Sequence, residues 1–323
     1  VIVGSWLDPA AIDRLASNPA RRMQMPAIEQ IDLTRPFVPE DYTQLYYTPV
    51  YMSLHRAHRL RYNQLFGLRI NEYIMMLEAD LVERLLSPLR GHPAVAADPT
   101  LVRCLETMID EERHHYRCFV ALNRACRPLL YGDRERHFSV VSWPLDLMFK
   151  TVGLVAGRLA FALWYLMAME ESSTALARDM VRNPTTETLG PLEQTFTAVH
   201  REHMKDEARH LHIDAILIDL VLTQAGRHAR ILNAALFKSM LGAITRPTRA
   251  GSGVKVIRQL VREMPELAWR EGEMIAAVLA LRGDRAFQQS LFNRKLMPLT
   301  FGLFDQTSEF HDLPVSMVGY DRR

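Results

Sequence analysis

The chain has 323 residues, with 39 basic against 37 acidic side chains, 12 histidines and three cysteines. A net charge of +2 gives no electrostatic case for nucleic acid or for a strongly acidic partner. Cys104, Cys118 and Cys126 form neither a disulfide framework nor a cysteine metal motif, and they read as small buried residues in a reducing compartment.

The opening Val1-Ile2-Val3-Gly4-Ser5 turns polar without a basic region followed by a long apolar run, so no signal peptide is expected. Residues 1–50 hold Pro9, Pro19, Pro26, Pro36, Pro39 and Pro49 around a short helical piece, Pro9 to Ala16, and read as an irregular wrap over a bundle. From Tyr51 to Leu89 helix formers take over. Helices are expected at about Leu54 to Phe66 and Leu68 to Leu86. Among Glu72, Glu78 and Glu83, Glu78 is set most deeply in apolar residues, with Ile74, Met75 and Leu77 before it and Leu81 and Val82 after it. A carboxylate so placed is costly unless it is paired or binds a metal.

Asp98-Pro99-Thr100 marks the start of a helix reaching about Arg124. It carries Asp110-Glu111-Glu112-Arg113-His114, in which Glu111 and His114 stand at i and i+3; Glu112 and His115 have the same spacing in a shifted register. After a loop from Pro128 to Pro144, a helix is expected from Leu145 to about Arg182. Its stretch Val152 to Met169 is apolar but carries Arg158 and ends in Glu170-Glu171 without a basic flank, so it reads as a buried bundle helix and not a membrane span. Glu170 and Glu171 point about 100° apart, so only one can face a shared site. Glu170 shares its face with Leu163, Leu166, Met167 and Thr174 and is preferred; Thr174, one turn on, is the candidate to hydrogen-bond bound oxygen.

The helix from Leu192 to about Thr223 carries His203-Met204-Lys205-Asp206-Glu207-Ala208-Arg209-His210. His203, Glu207 and His210 fall at i, i+4 and i+7 on one stripe, and His200 and His212 lie off it. Asp206-Glu207-Ala208-Arg209-His210 echoes Asp110-Glu111-Glu112-Arg113-His114, and that echo favours Glu111 with His114. Two Glu-x-x-His pairs on two helices, with one Glu from each of two others, are the ligand pattern of a carboxylate-bridged dimetal site in a four-helix bundle. Oxygen ligands with some imidazole suit iron or manganese. The Asp and Arg of each copy suit the support that a metal-bound imidazole needs. Beyond Gly226, helices are expected at Ala229 to Ala243 and Lys255 to Leu281, separated by Gly251-Ser252-Gly253, as packing or dimer-forming elements; the tail from Phe301 carries no signal.

His203-x-x-x-Glu207-x-x-His210 within this frame resembles the last ligand helix of the ferritin-like diiron N-oxygenases, the family that includes p-aminobenzoate N-oxygenase. The resemblance covers about Tyr51 to Thr223. It implies an all-α, ferritin-like four-helix bundle with additional N- and C-terminal helices. One domain over 1–323 is expected, with a wrap at 1–50, the metal-binding bundle at 51–223 and C-terminal helices at 224–323. It implies two Fe ions, cycling between Fe2+ and Fe3+, on Glu78, Glu111, His114, Glu170, His203, Glu207 and His210. The implied reaction uses O2 to oxidise a primary amine to hydroxylamine and onward to nitroso and nitro, in secondary-metabolite biosynthesis.

The amine that the resemblance implies is a small molecule, free or bound to a carrier protein. Electrons come from an external reductase or ferredoxin, since the chain shows no Gly-rich dinucleotide fingerprint and no cysteine cluster. A cytoplasmic homodimer with no membrane or nucleic-acid partner is expected. Met75, Met76, Phe161, Trp164, Tyr165, Met167 and Met169 are pocket candidates. The competing readings are a diiron hydroxylase or desaturase acting at carbon, an iron-handling ferroxidase, and a ribonucleotide reductase small subunit, which would use a tyrosine such as Tyr116. The third histidine, His203, and the length of the chain weigh against them.

Overall fold

In the computed structural model the described residues are 6–28, 31–140, 143–156 and 159–321. Arg158 and the opening Val1 to Ser5 lie outside them. The first helix, α1 (Pro9–Ala16), starts with Pro9 at its first position and the Asp8 side chain accepting from Ala11 N–H, and it buries Ile12 and Ala16.

The next helix runs as α2 (Arg56–Met76), a π-helical turn (Leu77–Val82) and α3 (Glu83–Leu89). The expected division near Gly67 is therefore corrected: the rod is continuous there. Gly67 serves close approach instead, since a Cβ at this position would stand 2.9 Å from Phe37 Cβ. The interruption comes later, at the π turn that holds Glu78, a device often found at functional sites.

Helix α4 (Pro99–Cys126) is capped by Asp98, which accepts from Thr100 and Leu101 N–H. The single helix expected from Leu145 to Arg182 is two, α5 (Trp143–Val155) and α6 (Ala162–Arg182). Gly153 weakens helix propensity near the end of α5. Helix α7 (Gln194–Leu217) is capped by Glu193 and runs into a second π turn, Ile218–Thr223.

Helix α8 (Arg227–Ile244) follows. The helix expected over Lys255 to Leu281 is also two, α9 (Ser252–Glu263) and α10 (Glu271–Ala280), because Pro265 cannot continue an α-helix and a 3-10 segment takes its place. The tail is structural after all. In and after α11 (Pro298–Gln306), Phe304 and Phe310 pack with Phe237, and Phe310 stacks edge-on to Trp164 at 4.8 Å.

Helix α6 lies against α7, α7 against α4, and α4 against α2. The Tyr73 and Tyr165 hydroxyls meet between α2 and α6 and close the ring. This is an all-α, ferritin-like bundle. Among the described residues the sole β pairing is the isolated bridge between Thr185 and Pro191. No described helix is long and apolar enough to cross a membrane.

The core divides into two apolar clusters along the bundle. One holds Leu81, Leu85, Leu105, Met108, Leu163, Met167 and Leu217, and the other Leu68, Met75, Phe119, Leu122, Leu176, Phe196 and Val199. Every one of the four bundle helices passes from one cluster to the other, and each does so at buried ionisable residues.

Candidate metal centre

The crossing points are Glu78 after α2, Glu112 and His115 on α4, Glu170 on α6, and His203, Glu207 and His210 on α7, all buried. Three groups of these residues bring ligand atoms within 4.8 Å of one another: Glu78 with His115 and His203, Glu112 with His115 and Glu207, and Glu112 with Glu170 and His210. Glu112 and Glu207 are central. Glu207 Oε1 is 3.2 Å from His203 Nε2, 3.5 Å from His115 Nδ1 and 3.4 Å from His210 Nδ1. Glu78 and His203 stand at one end of the belt, 3.2 Å apart, and Glu170 stands at the other.

The position of the inward Glu–His pair on α4 follows from the apolar stripe. Leu101, Leu105, Met108, Glu112, His115, Phe119, Leu122 and Cys126 are spaced alternately four and three residues apart, and all are buried. Glu111 and His114, the expected pair, do not enter the cluster; this corrects the register by one residue. Glu111 is buried but accepts from His210 Nε2–H at 3.1 Å and from Arg209 at 2.6 Å. His114 is half-buried, with Nε2 3.5 Å from Cys118 Sγ. The structural counterpart of Asp206 is therefore Glu111. Each is the acid just before a central Glu, and each takes the outward Nε2–H of the other helix's histidine: Asp206 Oδ2 lies 2.9 Å from His115 Nε2. Arg209 donates to both acids at 2.6 Å. Such partners fix the ring so that Nδ1 faces the cluster.

Glu170, Glu78, His203, Glu207 and His210 take the inward positions expected of them. Glu171 does not: it accepts from Leu299 N–H at 2.9 Å and Thr300 N–H at 2.7 Å and so caps α11. Thr174 is buried one turn beyond Glu170, but its hydroxyl donates to the Glu171 carbonyl at 2.8 Å. Off the stripe, His200 meets Asn71 Oδ1 at 3.0 Å, and burial pushes it down to about 3. His212 Nδ1 accepts from Leu7 N–H. Of the pocket candidates, Trp164 packs against Phe237 and Phe310, and Tyr165 turns its hydroxyl to Tyr73. Tyr116 donates to Glu135 at 2.7 Å on the exposed side.

One acid was missed. Asp214 extends the stripe of His203, Glu207 and His210 by one more turn, is fully buried, and faces Glu170. The spacing alone could have found it.

So many acids in an apolar belt distort one another's ionisation. Burial raises Glu170 well above the carboxylate range, with the Asp214 charge adding to it; burial likewise lifts Asp214 to about 8 and Glu78 to about 7. Burial also opposes ionisation of Glu112 and Glu207, yet hydrogen bonds and charge from the histidines outweigh it and hold both below the usual range. For the imidazoles burial acts downward and loses. Asp206 and Glu112 carry His115 up to about 10, and Glu207 and Glu78 carry His203 up to about 9.

The donor set suits a pair of divalent cations. Both Glu170 oxygens, Glu78 Oε2, Glu207 Oε1 and the Nδ1 atoms of His115 and His210 are buried without a hydrogen-bond partner. Buried polar atoms left in that condition cost free energy, and here they converge on shared points. The chemistry of the set is that of hard oxygen donors with imidazole, which selects iron or manganese over thiolate-bound metals. No curated protein matches the chain. The family model for p-aminobenzoate N-oxygenase AurF matches residues 8–271, spanning α1, the whole belt and α9, and the chain belongs to that family of oxygenases.

Proposed function

We propose that the chain is a non-haem diiron oxygenase that uses O2 to oxidise the primary amine of an arylamine to hydroxylamine and onward to nitroso and nitro, within secondary-metabolite biosynthesis. The observation that carries this reading is the belt of four Glu and three His, in which both Glu170 oxygens, Glu78 Oε2, Glu207 Oε1 and the Nδ1 atoms of His115 and His210 lack hydrogen-bond partners, in a chain of this family. Glu78, His115 and His203 would hold one iron and Glu170 and His210 the other, with Glu112 and Glu207 between them. Bound iron, cycling between Fe2+ and Fe3+, would supply the electron transfer to O2 that no side chain can provide.

The remaining work falls to the protein. Asp206 and Glu111 hold the Nε2–H of His115 and His210, so those rings keep a fixed orientation through repeated turnovers. Met108 and Phe119, above and below the pair on α4, exclude water from the belt. Converting the amine to a hydroxylamine consumes one O2, two electrons and two protons and releases one water. The electrons come from an external reductase or ferredoxin. The substrate is a small arylamine, free or carried on a protein, and the enzyme acts as a cytoplasmic homodimer.

The test is anaerobic loading with Fe(II), a metal count, and exposure to 18O2 with p-aminobenzoate, read by mass spectrometry. Two irons per chain and 18O on the nitrogen support the reading; 18O on carbon transfers the chain to the hydroxylases, and no stoichiometric metal overturns it. His203→Ala is expected to lower the metal count.

A further inference from the structure

The N-terminal segment that leaves a 3-10 turn, Pro19–Arg21, and runs on through Gln24 is tied to the bundle at the acids that support the histidines. It runs antiparallel to α7 and matches that helix turn by turn. Arg21 carbonyl accepts from Arg209 Nη1 at 2.5 Å. Met23 N–H donates to both Asp206 oxygens, at 3.2 and 3.0 Å, and Gln24 N–H donates to Glu202 at 3.3 Å. Glu202, Asp206 and Arg209 each stand one residue before a cluster residue, His203, Glu207 and His210, so this ladder fixes the rotation that turns those three inward. In the same segment, Arg22 Nε pairs with Glu111 Oε1 at 3.1 Å.

The two ties lead to different histidines. Met23 N–H bonds Asp206, which holds His115. Arg22 pairs with Glu111, which holds His210. We propose that Arg22 and Met23 are positioning residues of the metal centre, with the Met23 peptide setting affinity at the His115 end and the Arg22 side chain setting it at the His210 end. This rests on the metal-centre reading above. Its physical basis is that an acid with one fewer donor is held less firmly, and a histidine whose partner shifts loses part of the orientation that binding requires.

Metal-free protein titrated with Co(II), followed by ligand-field absorbance, reads the two sites directly. Arg22→Ala removes a side chain that is 43% exposed, so the melting temperature of the metal-free protein is expected to stay at the wild-type value. One of the two cobalt affinities is expected to fall about tenfold, the low end for loss of support to a ligand, and Arg22→Lys is expected to restore most of it. Met23→Pro deletes the N–H, and Arg22 already has the extended backbone that a following proline requires. Compared with Met23→Ala, which keeps the N–H, it is expected to weaken the other cobalt site about tenfold. Wild-type affinities in both Arg22→Ala and Met23→Pro overturn the inference, as does equal weakening of both sites together with a lowered metal-free melting temperature. A wild-type protein that binds no cobalt overturns the metal-centre reading and this inference with it.

Discussion

Loading the belt with metal should expel protons, and the number follows from the site's own electrostatics. Without a cation, four inward carboxylates are compensated by protons on the imidazoles. His115, raised to about 10, and His203, raised to about 9, are both almost fully protonated near neutrality. His210 is raised well above its ordinary value by Glu111 and Glu112 in spite of burial, and Glu170 by burial, so each holds one more proton; Glu78, at about 7, holds a fraction. Ligands bind metal deprotonated, so two divalent ions should release about four protons per chain near pH ~7.5. Apparent affinity should then weaken by roughly 100-fold per ion for each unit the pH is lowered.

Calorimetric titration with Co(II) in buffers of differing protonation enthalpy measures the proton count as a slope. A count below about one would refute the charge compensation argued here. The sign for stability follows from the same groups. A histidine raised in the folded state stabilises fully below its ordinary 6.5, and that stabilisation is lost as the pH rises through about 9 for His203 and about 10 for His115. Glu78 acts in the same direction, as its proton is lost on rising through about 7. The metal-free protein should therefore melt at progressively lower temperature from neutral pH toward 10, while the loaded protein should be much less sensitive.

The register on α4 is open to direct test: Glu112→Ala or His115→Ala should abolish binding of at least one metal, whereas His114→Ala should leave the full metal count, as read by elemental analysis. Loss of metal in His114→Ala with retention in His115→Ala would reverse the assignment. Glu171→Ala should keep both metals but strip the two N–H groups at the start of α11 of their acceptor, costing about 2–3 kcal/mol by urea denaturation. Gly67→Ala would put a methyl 2.9 Å from Phe37 Cβ. Crowding there should cost about 1–3 kcal/mol, more than the roughly 0.5–1 kcal/mol of helix propensity gained, and a raised urea midpoint would show that Phe37 yields instead.

The all-α fold and the inward stripe of α7 were legible because their signals are local. His203, Glu207 and His210 share one stripe of one helix, and periodicity alone shows it. Glu78 was legible from the cost of burying a carboxylate, and Glu170 was separable from Glu171 by the apolar face it continues. What the sequence conceals is whatever depends on a partner far along the chain. Glu171 looks like any polar helix residue until the start of α11, 128 residues later, is placed against it. The strap from Arg21 to Gln24 is invisible for a stronger reason: two of its contacts to Asp206 and Glu202 are made by peptide N–H groups, which every residue but proline carries.

The shift on α4 has a different cause, and it bears on how the site is built. Letters repeat between Asp110-Glu111-Glu112-Arg113-His114 and Asp206-Glu207-Ala208-Arg209-His210, but roles repeat one residue later. Asp110 and Arg113 are exposed and pair with each other, and Arg113 also pairs with Glu83, on the surface, where ion pairs are worth little. The repeated unit is acid-Glu-x-x-His: Glu111 with Glu112 and His115 on α4, and Asp206 with Glu207 and His210 on α7. In each unit the Glu and His face inward, while the acid reaches across to hold the other unit's histidine. Neither helix can orient its own imidazole; each depends on its neighbour's acid, and Arg209 couples the two acids through one guanidinium. A rotation of either helix as a whole would therefore disturb both histidines together, whereas loss of a single tie to Asp206 or to Glu111 acts on one histidine. The strap on α7 and the ion pair from Arg22 act on that shared brace at Asp206 and Glu111, and the Arg21 carbonyl holds Arg209 itself.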